Sequence, residues 1–305
     1  MPSNDRASIY ARITEQIIAA IERGVEAGRM PWHHDGSAIY RPANVGSKKP
    51  YRGINTLALW ASAEAKGYPT GLWGTFKQWF ELGAVVRKGE RASAVVLWKQ
   101  VEKPDAEDGD KKRFFARGYS VFNVAQVDGY EPEAIPSLPE SERLAHAEAF
   151  IASLGIQIMH GGDMAYYRPS TDTVHLPPFE RFLNAASAYG VTLHECGHAS
   201  GAKHRLDRDL SGRFGTESYA AEEICVELAS GFILADLGIA HNPREDHAAY
   251  IASWLSILKS DPRAIFTAAS KAQAIADWMH AQQPTPLRET SEGACAPAHT
   301  AQISA

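Results

Sequence analysis

The sequence predicts an α+β protein composed of two domains, and three observations lead to this prediction. The chain has 305 residues, 45% of them apolar, which is enough for more than one hydrophobic core. Its first half combines helical patterns with strand-like runs. A proline-rich stretch over 130–139 is the best linker candidate. We therefore expect a first domain over 1–128, a linker over 129–140, a second domain over 141–282 and a disordered tail over 283–305.

The first domain opens with the pattern of an amphipathic helix. Apolar residues recur there every three or four positions, at Ile9, Ile13, Ile17, Ile18, Ile21 and Val25. A second, shorter helix is predicted over 56–66. Runs rich in valine and aromatic residues then predict three strands, over 84–88, 94–98 and 114–122. The acidic run 102–110 is typical of a solvated hairpin tip.

The most informative motif is His194-Glu195-Cys196-Gly197-His198, which matches the H-E-x-x-H signature of helical zinc proteases. Residues four apart lie on one face of an α-helix, so His194 and His198 can bind one metal ion through neutral imidazoles. Glu195 points to the neighbouring sector, where it can act on a water whose pKa zinc lowers to about 7. The motif therefore predicts a hydrolytic metal site in which Glu195 is the catalytic base.

The sequence around the motif is consistent with a metal site. Asn184 is a plausible N-cap for the helix that carries the motif, and Gly201 lies where such a helix would end. Upstream, the segments 164–168 and 173–176 read as two short strands joined by a turn. Two strands followed by a metal helix is the order expected in zincin-type sites.

Two residues compete for the third ligand position. Glu223 lies in a predicted buried helix, and Glu227 follows one turn later, where a second carboxylate can hold a ligand histidine by its free N–H. His204 instead completes the longer metzincin spacing, in which Gly201 turns the chain back toward the metal. That spacing normally comes with a later Met-turn, and the only later methionine, Met279, lies in a predicted helix. The pattern favours Glu223 and keeps His204 as the alternative.

Charge is divided unevenly along the chain. Residues 1–130 carry 19 Lys and Arg against 14 Asp and Glu, whereas 131–305 carry 12 against 22. Five of the seven tryptophans fall within the first 98 residues, among these basic residues. Lysine and arginine neutralise phosphates, and aromatic rings stack on unpaired bases with about 1–3 kcal/mol per base. This combination favours single-stranded nucleic acid as the partner of the first domain.

Seven residues of the first domain are the candidates for nucleic-acid contacts: Lys48, Lys49, Tyr51, Arg52, Lys77, Arg87 and Lys88. Tyr51 is the stacking candidate, because it lies in a loop among basic residues. Trp60, Trp79 and Trp98 each have apolar neighbours, and we expect them to be mainly structural.

The sequence lacks the features that mark membrane-spanning and secreted proteins. No apolar run approaches the roughly 18 residues that a membrane span needs, and the N-terminus lacks the pattern of a signal peptide. The three cysteines, Cys196, Cys225 and Cys295, are odd in number and show no disulfide framework. We expect a cytoplasmic protein with no membrane partner.

Further motifs occur in order along the chain. In the first half they are Lys49-Pro-Tyr-Arg-Gly-Ile-Asn55, Trp73-x-Thr-Phe-Lys-Gln78, Leu82-Gly83, Val86-Arg-Lys-Gly89 and Phe122-Asn-Val-Ala-Gln126. In the second half they are Tyr166-Tyr-x-Pro169, Asp172-x-Val-x-Leu-Pro177, His194-Glu-x-x-His198, Arg205-Leu-x-Arg208 and Tyr219-Ala-x-Glu-Glu223-x-x-x-Glu227-Leu228. Together, over roughly residues 8–280, these motifs resemble the ArdC-type antirestriction proteins.

The resemblance implies a single-stranded-DNA-binding domain followed by a zincin-like metallopeptidase domain of the gluzincin type. It also implies carriage on plasmids or other mobile elements that move by conjugation, with protection of incoming DNA from host restriction. A related N-terminal domain occurs in plasmid conjugation primases. In that family the position of His204 is usually not histidine, which leaves Glu223 as the third ligand.

From the resemblance and the motif we expect one Zn²⁺ or similar divalent ion per chain, and single-stranded DNA as a partner. A host DNA-acting protein is the expected peptidase substrate. The strand over 173–176 is expected to lie along the edge of the metal cleft and to offer backbone groups to an extended peptide. The alternative is a DNA-shielding protein whose metal site is structural or vestigial. The intact Glu195 favours the peptidase, because a structural site has no use for a general base and usually has four protein ligands.

Overall fold

The computed structural model describes residues 3–27, 30–33, 41–102, 112–132, 139–212, 216–241 and 247–284. The α-helices in these residues are α1 (Ser3–Ala27), α2 (Ile54–Lys66), α3 (Phe76–Glu81), α4 (Glu140–Ser153), α5 (Ala185–Ala199), α6 (Glu217–Leu237), α7 (His247–Ser260) and α8 (Ala264–Ala281). The strands are β1 (Ala43–Asn44), β2 (Leu72–Gly74), β3 (Val85–Val86), β4 (Ser93–Glu102), β5 (Lys112–Asn123), β6 (Val127–Asp128), β7 (Gln157–His160), β8 (Tyr166–Arg168) and β9 (Thr173–Leu176). This mixture of helix and sheet agrees with the predicted α+β class.

Three predicted segments fall wholly or mainly outside the described residues. They are the hairpin tip, of which 103–111 is not described, the middle of the proline-rich linker over 133–138, and the tail from residue 285 onward. None of the described helices is both long enough and apolar enough to cross a membrane.

The N-terminal sheet is built on a long hairpin. Its four strands have the order β1-β2-β5-β4, and β4 pairs antiparallel with β5 over the whole length of β4. The predicted strands over 94–98 and 114–122 lie in this hairpin. The third predicted strand is reduced to β3, which pairs with β6 in a separate two-stranded sheet. Gly89 follows with a φ of 91°, a conformation that glycine adopts readily and that turns the chain away from the ladder.

Helices α1 and α2 pack into the same core as the C-terminal helices. Ile13, Ile17 and Ile21 are fully buried in a cluster that also contains residues of α5, α6, α7 and α8. The Thr14 hydroxyl donates to the carbonyl of Pro262 at 2.6 Å, which fixes α1 against the connection between α7 and α8. Val25 is exposed, so the apolar stripe of α1 ends one turn earlier than predicted. The division into domains at 129–140 stays a prediction, but the two halves share this core.

Helix α6 lies at the centre of the C-terminal half. It contacts α4, α5, α7 and α8, and most of its side chains from Ala220 to Ala235 are buried. A helix that is apolar on nearly every side is stable only when it is surrounded. The buried charged residues of α6 are Glu223 and Glu227, so these carboxylates need polar partners from the neighbouring elements.

A three-stranded sheet of order β7-β9-β8 lies beside α5. β9 is the central strand, with β7 parallel to it on one side and β8 antiparallel on the other. The expectation that 173–176 lies along the edge of the cleft and offers backbone groups to a peptide is therefore wrong, because β9 is paired on both sides and the cleft is lined by residues of β8 instead. β7 was not predicted from sequence, because its residues show no buried face. This parallel strand is what places β9 in the middle. The outer strand facing the cleft is β8.

Candidate metal centre and basic surface

Helix α5 presents the H-E-x-x-H motif in its last two turns. The side chain of Asn184 accepts a hydrogen bond from the backbone N–H of Ser187 at 2.9 Å, which is the predicted N-cap. The helix ends at Ala199, two residues before the expected stop at Gly201. His194 and His198 consequently lie on one face, with ring centroids 5.0 Å apart.

The facing helix, α6, brings Glu223 to this pair. Its Oε2 lies 3.3 Å from Nε2 of His194, and its Oε1 lies 3.3 Å from Nε2 of His198. The three ligand atoms all lie within 4.8 Å of one another. Two imidazole nitrogens and a carboxylate are a donor set that zinc and similar divalent ions prefer, and ligand bonds of about 2.0–2.2 Å fit such spacings. The chemistry of the cluster therefore fits one divalent ion.

Close packing of the two helices depends on Gly197. A Cβ at this position would lie 2.5 Å from Cγ1 of Val226, a separation that real Cβ atoms do not tolerate. The missing side chain lets α5 approach α6 closely enough for Glu223 to reach both imidazoles. The glycine at the fourth position of the motif thus serves the site through packing.

A carboxylate also lies behind each histidine. Oε2 of Glu227 is 3.4 Å from Nδ1 of His194, and Oε1 of Glu222 is 3.6 Å from Nδ1 of His198. Such outer carboxylates orient the ligand ring and keep its other nitrogen directed at the metal. The position of Glu227 agrees with its predicted spacing, whereas Glu222 was not predicted as a site residue.

Arg208 holds Glu222 in place. Its Nη2 donates to Oε1 of Glu222 at 2.7 Å and to the carbonyl of Gly197 at 2.8 Å, so one guanidinium ties α6 to α5 beside the site. A guanidinium fits this task because its donors form a rigid fork. The motif that contains Arg208 was part of the family resemblance, but nothing in the sequence assigns the residue this contact.

The buried charges of the cluster stabilise one another. Burial lowers the pKa of His198, but its contacts with Glu222 and Glu223 outweigh burial and raise the pKa to about 10. Burial alone would raise the pKa of Glu223, yet His194 and His198 hold it well below its usual range. Glu223 therefore remains ionised, as a carboxylate ligand must be.

The cluster opens into a cleft of about 410 Å³. Glu195 lines this cleft together with the two histidines and Glu223. Tyr166 and Tyr167 of β8 form part of another wall, and Tyr219 from the first turn of α6 adds a phenol. The hydroxyl of Tyr167 donates to Asp172 at 2.9 Å, which fixes the strand wall.

The alternative ligand, His204, lies away from the cluster. Its side chain is 64% exposed, and its Nε2 is 3.4 Å from Oδ2 of Asp172. Arg205 directs this turn, because it forms a two-point ion pair with Asp172 at 2.6 and 2.9 Å. The structure thus brings Glu223, and not His204, to the histidine pair.

The cysteines near the motif are packing residues. Cys196 and Cys225 are buried, and burial raises the pKa of both thiols to about 12. A thiol with so high a pKa is neither a good nucleophile nor a metal ligand. Cys295 lies outside the described residues.

The seven candidate nucleic-acid residues divide into two groups. The exposed lysines are Lys48, Lys49, Lys77 and Lys88. The remaining three are engaged within the protein. Arg52 pairs with Asp277 of α8, Arg87 pairs with Glu90 and Asp128, and Tyr51 packs half-buried against a small core while its hydroxyl accepts a hydrogen bond from Asn44. As nucleic-acid contacts all seven stay predictions.

Two exposed aromatic residues of α3 were not predicted as part of a nucleic-acid surface. Phe76 is 58% exposed and Phe80 71% exposed, and both lie on the outer face of α3 while Trp79 is fully buried on the inner face. Their i,i+4 spacing is a usable signal, but the sequence does not say which face of a short helix is inside. The loop with Lys48 lies beside α3, because the amides of Asn44 and Gln78 bond each other at 2.9 and 3.1 Å.

Comparison with known protein families divides the chain in two. The family described as the N-terminal domain of anti-restriction factor ArdC matches residues 7–122. The family described as zincin-like metallopeptidase matches residues 145–271. The two matches follow one another in the order that the sequence motifs predict.

Several relatives match almost the whole chain. The uncharacterized protein y4eC of Sinorhizobium fredii (strain NBRC 101917 / NGR234) is 62% identical over 94% of this chain and 96% of its own length. Two DNA primases TraC of Escherichia coli are 36% and 35% identical over 96% and 91% of this chain. The match covers only 29% and 20% of those primases, so it concerns one region of much longer proteins.

Solved structures of the antirestriction ArdC protein from the R388 plasmid have the same fold. The metal-free structure is 37% identical with a TM-score of 0.74, and the Mn(II)-bound structure is 36% identical with a TM-score of 0.72. Each comparison covers 90% of this chain and 97% of the plasmid protein.

The packing at Gly197 generates a stability prediction. We expect Gly197→Ala to destabilise the fold by about 1–3 kcal/mol, because the new methyl overpacks the contact with Val226. Gly190→Ala is the matched control on the same helix, since its Cβ would meet Leu234 at an ordinary 3.7 Å. Thermal unfolding of both variants tests this. Adding Val226→Ala to Gly197→Ala should recover stability, and a double variant less stable than either single change would contradict the packing account.

Proposed function

Since the chain belongs to the ArdC antirestriction family, we propose that it protects incoming mobile-element DNA from host restriction by combining single-stranded DNA binding with a metal-dependent peptidase. The observation that carries the proposal is the cluster of His194, His198 and Glu223 with Glu195 on the wall of the same cleft. A protein that only shields DNA has no need of this set of residues. The proposed compartment is the cytoplasm, where DNA enters a recipient cell.

We propose that one zinc or similar divalent ion binds His194, His198 and Glu223. Three protein ligands would leave one coordination position for water or substrate, as in catalytic rather than structural sites. The ArdC protein of R388 has been solved with Mn(II), which supports a divalent ion in the family. When bound, the ion would supply Lewis acidity at a substrate carbonyl.

Glu195 is the proposed general base. Its carboxylate would accept a proton from the attacking water and then deliver that proton to the leaving nitrogen. Glu195 is only 4% exposed but lines the cleft, so its carboxylate is shielded from bulk solvent at the place where the proton moves. Tyr219 is a further polar side chain on the cleft wall.

An extended peptide is the proposed substrate. β8 is one of the two edge strands of its three-stranded sheet, and its residues line the cleft. A peptide could therefore pair with its backbone as an added strand. The proposed target is a host DNA-acting protein, because a DNA-bound peptidase is held where such proteins arrive. β8 takes the role that the sequence analysis gave to β9.

The proposed DNA surface surrounds α3. Phe76 and Phe80 present exposed rings on which bases can stack, and Lys48 and Lys49 lie in the loop that Gln78 holds against this helix. Lys77 is exposed on the same helix, with a weak ion pair of 3.5 Å to Glu81. Exposed rings between exposed lysines suit single strands better than duplex, whose bases are already stacked.

The third ligand is tested by metal affinity. We expect Glu223→Ala to lower zinc affinity by more than about 100-fold, because it removes one of three ligands, whereas outer-shell changes cost about 10–100-fold. His204→Ala is the control, since its exposed side chain contacts only Asp172 among the described ion pairs. Chelator competition measures both. Loss of zinc in His204→Ala with retention in Glu223→Ala would reverse the assignment.

Proteolysis is tested with Glu195→Gln, which keeps the shape of the side chain and removes its basicity. We expect the variant to keep its zinc and its DNA binding but to lose protection of incoming DNA in a conjugation assay with a restricting recipient. Zinc content and DNA affinity, measured on the same preparations, are the controls. Equal protection by variant and wild type would exclude proteolysis as the mechanism and leave DNA shielding as the function.

The DNA surface is tested with two double variants. Phe76→Ala/Phe80→Ala should lower affinity for single strands by about 1–3 kcal/mol per lost stack, with little change in salt dependence. Lys48→Ala/Lys49→Ala should lower affinity and also flatten the dependence on salt. Lys271→Ala, an exposed lysine on α8, is the control. Fluorescence anisotropy with labelled oligonucleotides measures all three, and wild-type binding by both double variants would place the surface elsewhere.

A further inference from the structure

A turn from the N-terminal half is buried behind the candidate metal centre. Trp32 and His33 follow the first helix of the chain and are only 1% and 4% exposed. They lie within the region that matches the ArdC N-terminal domain, yet both side chains contact Glu227 on α6. The indole Nε1 of Trp32 donates to Oε1 of Glu227 at 3.1 Å, and Nε2 of His33 lies 3.2 Å from the same oxygen.

The tautomer of His33 follows from its other nitrogen. The backbone N–H of Met30 donates to Nδ1 of His33 at 3.0 Å, so Nδ1 carries a lone pair. A neutral imidazole then has its proton on Nε2, which faces Glu227 and donates to it. His33, Glu227 and His241 have ligand atoms close enough to hold a metal ion. The protonated Nε2 of His33 has no lone pair for a metal, and this makes the group a hydrogen-bonded cluster.

Glu227 connects this cluster to the metal centre. Oε1 faces Trp32 and His33 and also lies 3.3 Å from Nε2 of His241, while Oε2 lies 3.4 Å from Nδ1 of His194. Nε2 of His194 points the opposite way, toward Glu223. The two oxygens of one carboxylate thus join donors from the N-terminal half to a candidate ligand of the second half. Because Glu227 is 1% exposed, its orientation depends on these contacts and not on solvent.

The packing of α6 makes room for the turn. Gly231 lies one helical turn after Glu227, and a Cβ there would meet Nδ1 of His241 at 3.3 Å and Cβ of Trp32 at 3.7 Å. Trp32 also packs against Trp254 of α7, with ring centroids 6.4 Å apart. The indole is therefore held by α6 and α7 with its N–H directed at Glu227.

We propose that Trp32 and His33 are positioning residues of the metal centre, which fix the Glu227 carboxylate so that it orients His194 for the metal. The inference rests on the proposed metal site and adds that the N-terminal half completes it. It predicts that the zincin-like region needs the ArdC N-terminal region for full metal affinity, in addition to any role of that region in DNA binding.

The test compares zinc affinity in full-length variants that lose one buried indole N–H each. Trp32→Phe removes the donor to Glu227 and keeps an aromatic ring. Trp79→Phe is the matched control, because its fully buried Nε1 donates at 3.0 Å to the carbonyl of Phe122 and its ring packs in a separate small core of the N-terminal half. We expect Trp32→Phe to lower zinc affinity by about 10–100-fold, the range for lost outer-shell partners, and Trp79→Phe to stay within about twofold of wild type.

Two variants of His33 distinguish an effect on the position of Glu227 from an effect on the stability of the fold. His33→Leu should lower zinc affinity, and His33→Gln should restore part of it, because the glutamine amide can still donate to Glu227. The unfolding temperature of each metal-free variant is measured in parallel. The visible spectrum of the cobalt-loaded protein should change in Trp32→Phe and His33→Leu but not in Trp79→Phe.

Equal loss of zinc affinity in Trp32→Phe and Trp79→Phe would overturn the inference, since the effect would then be one of general stability. Unchanged zinc affinity in both Trp32→Phe and His33→Leu would overturn it while leaving the proposed metal site intact. A wild-type protein that binds no divalent ion would instead refute the proposed metal site, and the inference would fall with it.

Discussion

The close contact of α5 with α6 is the constraint on which the site depends. Because Gly197 has no side chain, Val226 can pack directly against the backbone of α5. The two helices then approach closely enough for Glu223 to face both His194 and His198. Neither helix alone contains a metal site. The site exists because an apolar, central helix carries Glu222, Glu223 and Glu227 on the side that faces the motif histidines.

Burial of these carboxylates imposes the rest of the arrangement. A buried ionised group is costly unless hydrogen bonds or opposite charges surround it. Glu222 has Arg208, Glu223 has the two motif histidines, and Glu227 has Trp32, together with the imidazoles around it. The partners come from both halves of the chain. The turn after α1 therefore reaches Glu227 through the core that α1 and α2 share with the C-terminal helices.

Local sequence patterns predicted those parts of the fold that depend on one segment. The motif spacing, the Asn184 cap and the repeat of carboxylates at Glu223 and Glu227 each lie within one helix, and the structure places all of them together. The parts that were missed depend on partners far along the chain. Trp32 and Glu227 are 195 residues apart, and no periodicity links them. The prediction that 173–176 is an edge strand was wrong for a similar reason, since β9 is central only because β7 pairs with it.

The exposed rings of α3 show a different limit. Phe76, Trp79 and Phe80 are all aromatic, and a helix of six residues has too few positions to define an inner face by periodicity. Only the packing of Trp79 under the sheet, where its Nε1 donates to the carbonyl of Phe122 at 3.0 Å, decides which rings remain outside. Tyr51 was the stacking candidate from sequence, but its ring is partly buried against the small core that contains Leu59 and Trp73.

Anomalous diffraction from zinc-loaded crystals tests the central claim most directly, because it locates the ion without reference to activity. The account predicts one strong peak per chain, about 2.0–2.2 Å from Nε2 of His194, from Nε2 of His198 and from a carboxylate oxygen of Glu223. A peak between His33, Glu227 and His241, or a peak bound by His204 while Glu223 faces solvent, would contradict it.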